Sequence, residues 1–115
     1  MANTFKVVTK AGVTSADVIY TAGSGVTAIV LGLILGNTTT SQITSTVTLS
    51  SDTSNRAGAN DEANQAVELI TDAPIPAGSS LELLSGNKVV LETTDTISVT
   101  GSGATDVALS IMEIT

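Results

Sequence analysis

Short stretches in which polar and apolar residues alternate recur along this chain, and turn-forming residues separate them. The clearest one is residues 43–49, ITSTVTL, where Ile43, Val47 and Leu49 share one side of an extended chain and three threonines share the other. A period of two predicts a β-strand with one buried side. The threonine ladder on the other side suits solvent or a neighbouring subunit.

Turn signals recur at the spacing of about 8 to 12 residues that is typical of sandwiches and barrels. The predicted strands cover residues 4–9, 17–21, 26–35, 43–49, 66–70, 81–84, 88–91, 96–99 and 107–114. No long helix is predicted. A chain of 115 residues can bury one modest core, so we expect an all-β fold, a single-domain antiparallel β-sandwich over residues 1–115.

Two of the predicted strands are apolar on both sides. Residues 26–35, VTAIVLGLIL, are too few for a membrane span, which needs about 20 residues, so they predict a buried central strand and no membrane partner. Residues 107–114 place Leu109 on one side and Met112 on the other. Burial on both sides requires a sheet partner or a subunit partner.

Two segments are expected to lie outside the sandwich body. Residues 1–10 alternate in polarity without the continuous apolar run of a secretory signal, which predicts an N-terminal arm or edge strand. Its Lys6 and Lys10 stand apart from an otherwise acidic chain. Residues 50–65 are polar throughout and are predicted to form a long exposed loop.

The composition argues against most kinds of catalytic and metal-binding site. There is no cysteine and no histidine, which removes disulfides, thiolate nucleophiles, imidazole bases and the usual zinc ligands. Carboxylate pairs such as Glu92 with Asp95 are interpreted as solvated charges and not as an acid and base pair. Oxygen donors within residues 52–64 do not follow the spacing of a calcium loop. We therefore expect no enzyme, no cofactor and no metal site.

The net charge of −7 is concentrated after residue 49, where Arg56 and Lys88 stand against ten carboxylates. Binding a phosphate backbone requires a cluster of lysine and arginine, so nucleic acid is not an expected partner. The acidity is interpreted as a solvated surface. Asn37-Thr38-Thr39 satisfies the glycosylation pattern, but a threonine-rich chain produces this pattern by chance.

Five segments together resemble small virion structural proteins of tailed bacteriophages. They are MANTFKV, IYTAGSGVTAIVLGLILGN, APIPAGSSLEL, GNKVVLETTDTISVTGSG and the final VALSIMEIT. The resemblance implies a β-sandwich or jelly-roll-like subunit that decorates the capsid or joins tail components. It implies structural work without turnover and supplies no catalytic residues.

Within that class the prediction is a capsid decoration or cement subunit on the capsid surface of the virion, which bridges capsomers. Its expected partners are the major capsid protein or other virion proteins and further copies of itself, as a homotrimer. Phe5, Lys6 and Lys10 are the predicted capsid or subunit contacts. The alternatives are a tail, connector or fibre-base component of the virion and an extracellular β-sandwich binding module of a bacterial surface protein.

Overall fold

The computed structural model of this chain describes residues 2–51, 65–84 and 86–115. About 70% of those residues lie in strands and none of them lies in a helix. The strands are β1 (Asn3–Val13), β2 (Asp17–Thr21), β3 (Thr27–Asn37), β4 (Ile43–Ser51), β5 (Gln65–Ile75), β6 (Ser80–Leu83), β7 (Val89–Leu91), β8 (Thr96–Gly101) and β9 (Thr105–Ile114). All nine correspond to predicted strands. Most of the predicted loop at residues 50–65 lies outside the described residues.

The strands form two antiparallel sheets. Sheet A has the order β1-β9-β3-β6, and β7 pairs with an earlier part of β3 than β6 does, on the same edge. Sheet B has the order β2-β8-β4-β5. The chain is thus a long ribbon in which β1 pairs with β9, β2 with β8, β3 with β6 and β7, and β4 with β5. Successive pairs of this ribbon lie in alternate sheets, which is jelly-roll topology. The predicted all-β, jelly-roll-like sandwich is confirmed.

The core lies between the two sheets and follows from strand alternation. Every second residue of β3, β8 and β9 points inward and is buried, as the period of two requires. The largest fully buried apolar side chains are Leu33, Leu35, Leu91, Leu109, Ile111 and Val30 from sheet A and Ile75, Ile97, Val47 and Val99 from sheet B. Aliphatic and β-branched side chains fill this space, and the partly buried Tyr20 packs against them.

Strand β3 is central, as predicted, but the chain itself covers only one of its sides. Ala28 and Val30 are fully buried, whereas Ile34 on the opposite side is 44% exposed. A bulge between Val30 and Gly32 shifts the alternation within the strand. The prediction that the whole run is buried is therefore wrong for its outer side, and this difference bears on function below.

Strand β5 continues further than its sequence predicts. The segment APIP contains two prolines and its sequence predicts a turn, yet β5 runs to Ile75, with Pro74 opposite Thr44. Proline is tolerated there because β5 lies at the edge of sheet B, with a neighbouring strand on one side only. The turn follows one residue later, where Ser79 N–H donates to the Pro76 carbonyl and Gly78 adopts a φ of 69°.

Asn37 joins the two sheets where β3 ends. Its side chain is buried, and Nδ2 donates to the Ser41 carbonyl at 2.8 Å and to the Ile75 carbonyl of sheet B at 2.9 Å. Its Oδ1 accepts from the backbone N–H and the hydroxyl of Thr39, at 2.8 and 2.7 Å. The amide of the Asn37-Thr38-Thr39 pattern is thus used by the fold, and the residue is 3% exposed.

Candidate interaction surface

The three predicted contact residues lie on β1 but point to opposite sides of it. Phe5 points away from the sandwich and is 72% exposed. Lys6 and Lys10 share the inner side of the strand with Val8, which packs against the core. Lys6 forms an ion pair with Glu113 at 2.7 Å, and Lys10 forms one with Asp17 at 3.1 Å. The structure therefore separates Phe5 from the two lysines, which serve contacts within the chain.

Glu113 is the centre of a polar cluster between β1 and β2. Besides the Lys6 ammonium, its carboxylate accepts a hydrogen bond of 2.6 Å from the Tyr20 hydroxyl. The hydrogen bonds from Lys6 and Tyr20 hold the pKa of Glu113 below its usual value. Burial is the main cause that raises the pKa of Tyr20, and the hydrogen bond to the Glu113 carboxylate raises it further. Glu113 thus links Lys6 of sheet A with Tyr20 of sheet B through polar contacts.

The long edge strands carry features that hinder strand addition. The described part of β1 pairs only with β9, so its other edge offers free backbone groups. Inward-pointing Lys6 and Lys10 and an irregularity between Lys10 and Val13 oppose pairing with a further strand. Strand β5 has Pro74 at its edge. Attachment by edge-to-edge pairing is thus disfavoured at β1 and β5.

The outer surface of sheet A is largely apolar, with Ser110 among the apolar side chains and with Thr9, Glu82 and Asp106 towards one end. Its apolar residues, which we call the outer face of sheet A, are Phe5 and Val7 of β1, Ile29 and Ile34 of β3, Val90 of β7, and Ala108 and Met112 of β9. One cross-strand row spans the whole sheet: Phe5 lies opposite Met112, Met112 opposite Ile29, and Ile29 opposite Val90. A contiguous apolar patch of this kind is uncommon on a free monomer.

A shallow depression lies at one end of this face. It has a volume of about 360 Å³, and Ile34, Ala108, Thr9 and Gly36 are among its lining residues. Gly36 has a strand conformation, and a Cβ there would meet nothing among the described residues closer than the Asp106 carbonyl at 3.8 Å. No internal contact among those residues explains the glycine, and a glycine within a strand often marks the close approach of another molecule.

The outer surface of sheet B is chemically different. Cross-strand pairs join Thr46 with Thr100, Thr48 with Ser98, and Ser50 with Thr96. Together with Thr44, these hydroxyls form the threonine ladder that alternation predicts, now extended over β8. The two outer surfaces of the sandwich thus differ: hydroxyl groups dominate the centre of sheet B, and hydrocarbon dominates sheet A.

The acidic residues that the structure describes give no indication of catalysis or metal binding. Asp95 Oδ2 accepts a hydrogen bond from the Glu92 N–H at 3.0 Å, so the Glu92 and Asp95 pair shapes the turn between β7 and β8. Across residues 2–51, 65–84 and 86–115 there is no group of His, Asp or Glu that would hold a metal ion. The oxygen donors considered for calcium, residues 52–64, lie outside the described residues.

Sequence reasoning missed most of the apolar surface. It selected Phe5 but not Val90, Ile34 or Ile29, because an apolar residue in a strand is expected to point inward. The signal is present in the runs at residues 26–35 and 107–114, which are apolar on both sides. Two-sided burial needs a partner. In the structure the inner side meets the core, and the outer side meets nothing among the described residues.

No family model and no curated protein matches this chain. One solved structure that it is similar to is described as "Bacillus endospore appendages form a novel family of disulfide-linked pili". The two share 16% sequence identity over 99% of this chain and 87% of that one, with a TM-score of 0.48. These 115 residues contain no cysteine and cannot supply the disulfides that this description names. No described helix is long and apolar enough to cross a membrane.

This result corrects the functional prediction. The structure found is a bacterial pilus and not a phage protein, and on this finding the prediction of a capsid decoration or cement subunit is wrong. No comparison supplies a counterpart for the resemblance to phage virion proteins. The tail, connector or fibre-base alternative, the trimer, the virion partners and the virion localisation stay predictions that no comparison tests.

Proposed function

We propose that this chain is a non-catalytic β-sandwich module of an extracellular assembly and that the outer face of sheet A attaches it there. The observation that carries the proposal is the contrast between the two outer surfaces. A module with one hydrocarbon face and one hydroxyl face suits a place in which the first is covered and the second meets water.

The chemistry of the chain supports a structural role. It has no histidine or cysteine, and carboxylates such as Glu113 and Asp95 make contacts that hold strands and turns together. An acidic, threonine-rich chain without cysteine also fits a module of a bacterial surface protein. Disulfides to neighbouring molecules are unavailable to these residues, because they include no cysteine.

The experiment compares two single substitutions at matched valines. Val90 lies on the outer face of sheet A and is 54% exposed, while Val18 lies in β2 of sheet B and is 49% exposed. Val90→Glu and Val18→Glu add the same charge at similar exposure. Each variant is expressed in the producing organism with an epitope tag, and intact cells are labelled with antibody.

We expect surface labelling to be lost or strongly reduced for Val90→Glu and retained for Val18→Glu, because a carboxylate on a covered apolar face is costly. Unfolding temperatures of the two purified variants, measured at high dilution so that association between chains does not contribute, serve as the folding control and are expected to agree. Equal surface labelling of both variants would contradict attachment through sheet A. Absence of labelling for the parent chain on intact cells would contradict the extracellular setting.

A further inference from the structure

The outer face of sheet A has the size of a protein interface. Strands β1 and β3 each contain 11 residues, and the sheet is four strand positions wide. At about 3.3 Å per residue and about 4.8 Å between strands, the face covers about 700 Å². Two such faces packed together remove roughly 1,400 Å² from water, within the range of about 1,200 to 2,000 Å² for stable interfaces.

We infer that the molecule covering this face is a second copy of the same chain, packed face to face about a two-fold axis. This inference rests on the proposed function and names the partner. The axis lies between β9 and β3 and runs parallel to the strands. Two sheets packed in this way keep their strand directions within about 30° of each other, as in the interior of a sandwich.

The pairing registers make the face complementary to itself under this rotation. The row Phe5, Met112, Ile29, Val90 runs from one edge of the sheet to the other. A two-fold axis along its centre places Phe5 of one copy over Val90 of the partner and Met112 over Ile29. Each apolar group then meets an apolar group, and the same contact occurs twice, as an isologous interface requires.

A second cross-strand row and the charges agree with the same axis. Ala108 lies opposite Ile34 across the β9–β3 pair, so rotation places each over the other. Glu82 lies opposite Ile34 at the far edge of the sheet, and rotation places it over Thr9. Asp106 lies opposite Gly36, so this carboxylate comes over a residue without a side chain. None of these carboxylates meets a carboxylate of the partner.

The two long edge strands, β1 and β5, offer a poorer route to self-association. Backbone pairing at β1 is opposed by the inward Lys6 and Lys10, and pairing at β5 is opposed by Pro74. The face carries no such obstacle at its centre. A dimer of this chain is also expected to become more stable as the salt concentration rises. Each chain has a net charge of −7, so screening weakens the repulsion between copies and strengthens the dimer.

The test is sedimentation velocity on the purified chain over a dilution series, at low and at high salt. We expect a species of twice 11.5 kDa that dissociates on dilution and is more stable at high salt. Val90→Glu is expected to raise the dissociation constant at least about tenfold, because it places a charge in an apolar contact. The matched Val18→Glu variant is expected to leave it within about twofold, as is usual for an exposed position outside the interface.

A complementation experiment tests the two-fold geometry itself. Phe5→Lys and Val90→Glu are each expected to prevent homodimers, since both place charge over hydrocarbon. In an equimolar mixture, the new lysine of the Phe5→Lys copy meets the new glutamate of the Val90→Glu copy at one contact, while the second contact is the native Phe5 with Val90. We therefore expect the mixture to form heterodimers, detected as a mass that neither variant shows alone.

The possible failures are distinguishable. A purified chain that stays monomeric at about 1 mM in high salt, while Val90→Glu is still lost from the cell surface, would overturn the second copy and leave the proposed function standing with a different partner. A dimer that Val18→Glu and Val90→Glu weaken equally would overturn the face. A Val90-sensitive dimer without complementation in the mixture would overturn the axis.

Discussion

The buried amide of Asn37 gives the sharpest test of how the two sheets are held together. Asn37→Ala removes four hydrogen bonds, of 2.7 to 2.9 Å, to Thr39, Ser41 and Ile75. At about 1 kcal/mol net for each, the variant is expected to lose about 3 to 4 kcal/mol of unfolding free energy. That is a large part of the roughly 5 to 15 kcal/mol of a typical domain.

The assay is urea unfolding followed by far-UV circular dichroism, because the chain contains no tryptophan. The midpoint is expected to fall while the slope with urea stays constant. In a thermal scan the same loss lowers the melting temperature by about 12 °C or more. Asn87→Ala, at an exposed position, is the control and is expected to stay within about 0.5 kcal/mol of the parent.

An isosteric variant separates the donor from the acceptor. Asn37→Asp keeps the oxygen that accepts from Thr39 but turns the group facing the Ser41 and Ile75 carbonyls into an acceptor. At neutral pH it is expected to be at least as unstable as Asn37→Ala. As the pH falls its carboxyl is protonated and donates again, and burial beside two carbonyls places this above the ordinary aspartate pKa of about 3.9, so its deficit relative to the parent is expected to shrink. An Asn37→Ala variant within about 1 kcal/mol of the parent would refute the reasoning.

Three further predictions concern single sites. Ser45→Ala is expected to raise the unfolding free energy by up to about 1 kcal/mol in urea, because the Ser45 hydroxyl is buried without a partner among the described residues; a loss above about 1 kcal/mol would contradict this. Gly101→Ala is expected to lower the free energy of unfolding by at least about 2 kcal/mol in a thermal scan, since its Cβ would lie 2.6 Å from a backbone oxygen. Gly36→Ala is the control and is expected to be tolerated, because its Cβ would meet nothing closer than 3.8 Å among the described residues. Because the pKa of Glu113 is lowered in the folded chain, its charge stabilises the fold above the unfolded pKa of about 4.3, and this stability is lost as the pH falls through the folded pKa. Glu113→Gln is therefore expected to make the free energy of unfolding fall less steeply with decreasing pH. An unchanged pH dependence in acid would contradict the prediction.

The strands are predictable from the sequence because the fold depends on local alternation. Residues 17–21 match β2 without change, and the threonine ladder of β4 lies where alternation places it. Strand β5 is underestimated because an edge position, which only the sheet topology defines, tolerates Pro74. The inward direction of Lys6 is missed because its partner, Glu113, lies near the other end of the chain.

The interaction surface could not be predicted from alternation for a related physical reason. A period of two assigns residues to two sides of a strand but does not say which side the chain itself covers. For β4 the polarity of the residues decides, since its threonines face outward. For β3 and β9 both sides are apolar, and only the arrangement of the sheets shows that Leu33 and Leu109 meet the core while Ile29 and Met112 do not.

Exposing an apolar face to water costs free energy, and this cost bears on why the outer surfaces of sheet A and sheet B differ. Extra hydroxyls on β3 and β9 would make the isolated chain more soluble without disturbing its core, because Ile29, Ile34 and Met112 are not among the fully buried residues. Retaining hydrocarbon there is favourable only if association buries it, at roughly 25 cal/mol for each Å². The matching of Phe5 with Val90 under a two-fold rotation gives that hydrocarbon a second role, since it selects the orientation of the neighbour as well as binding it.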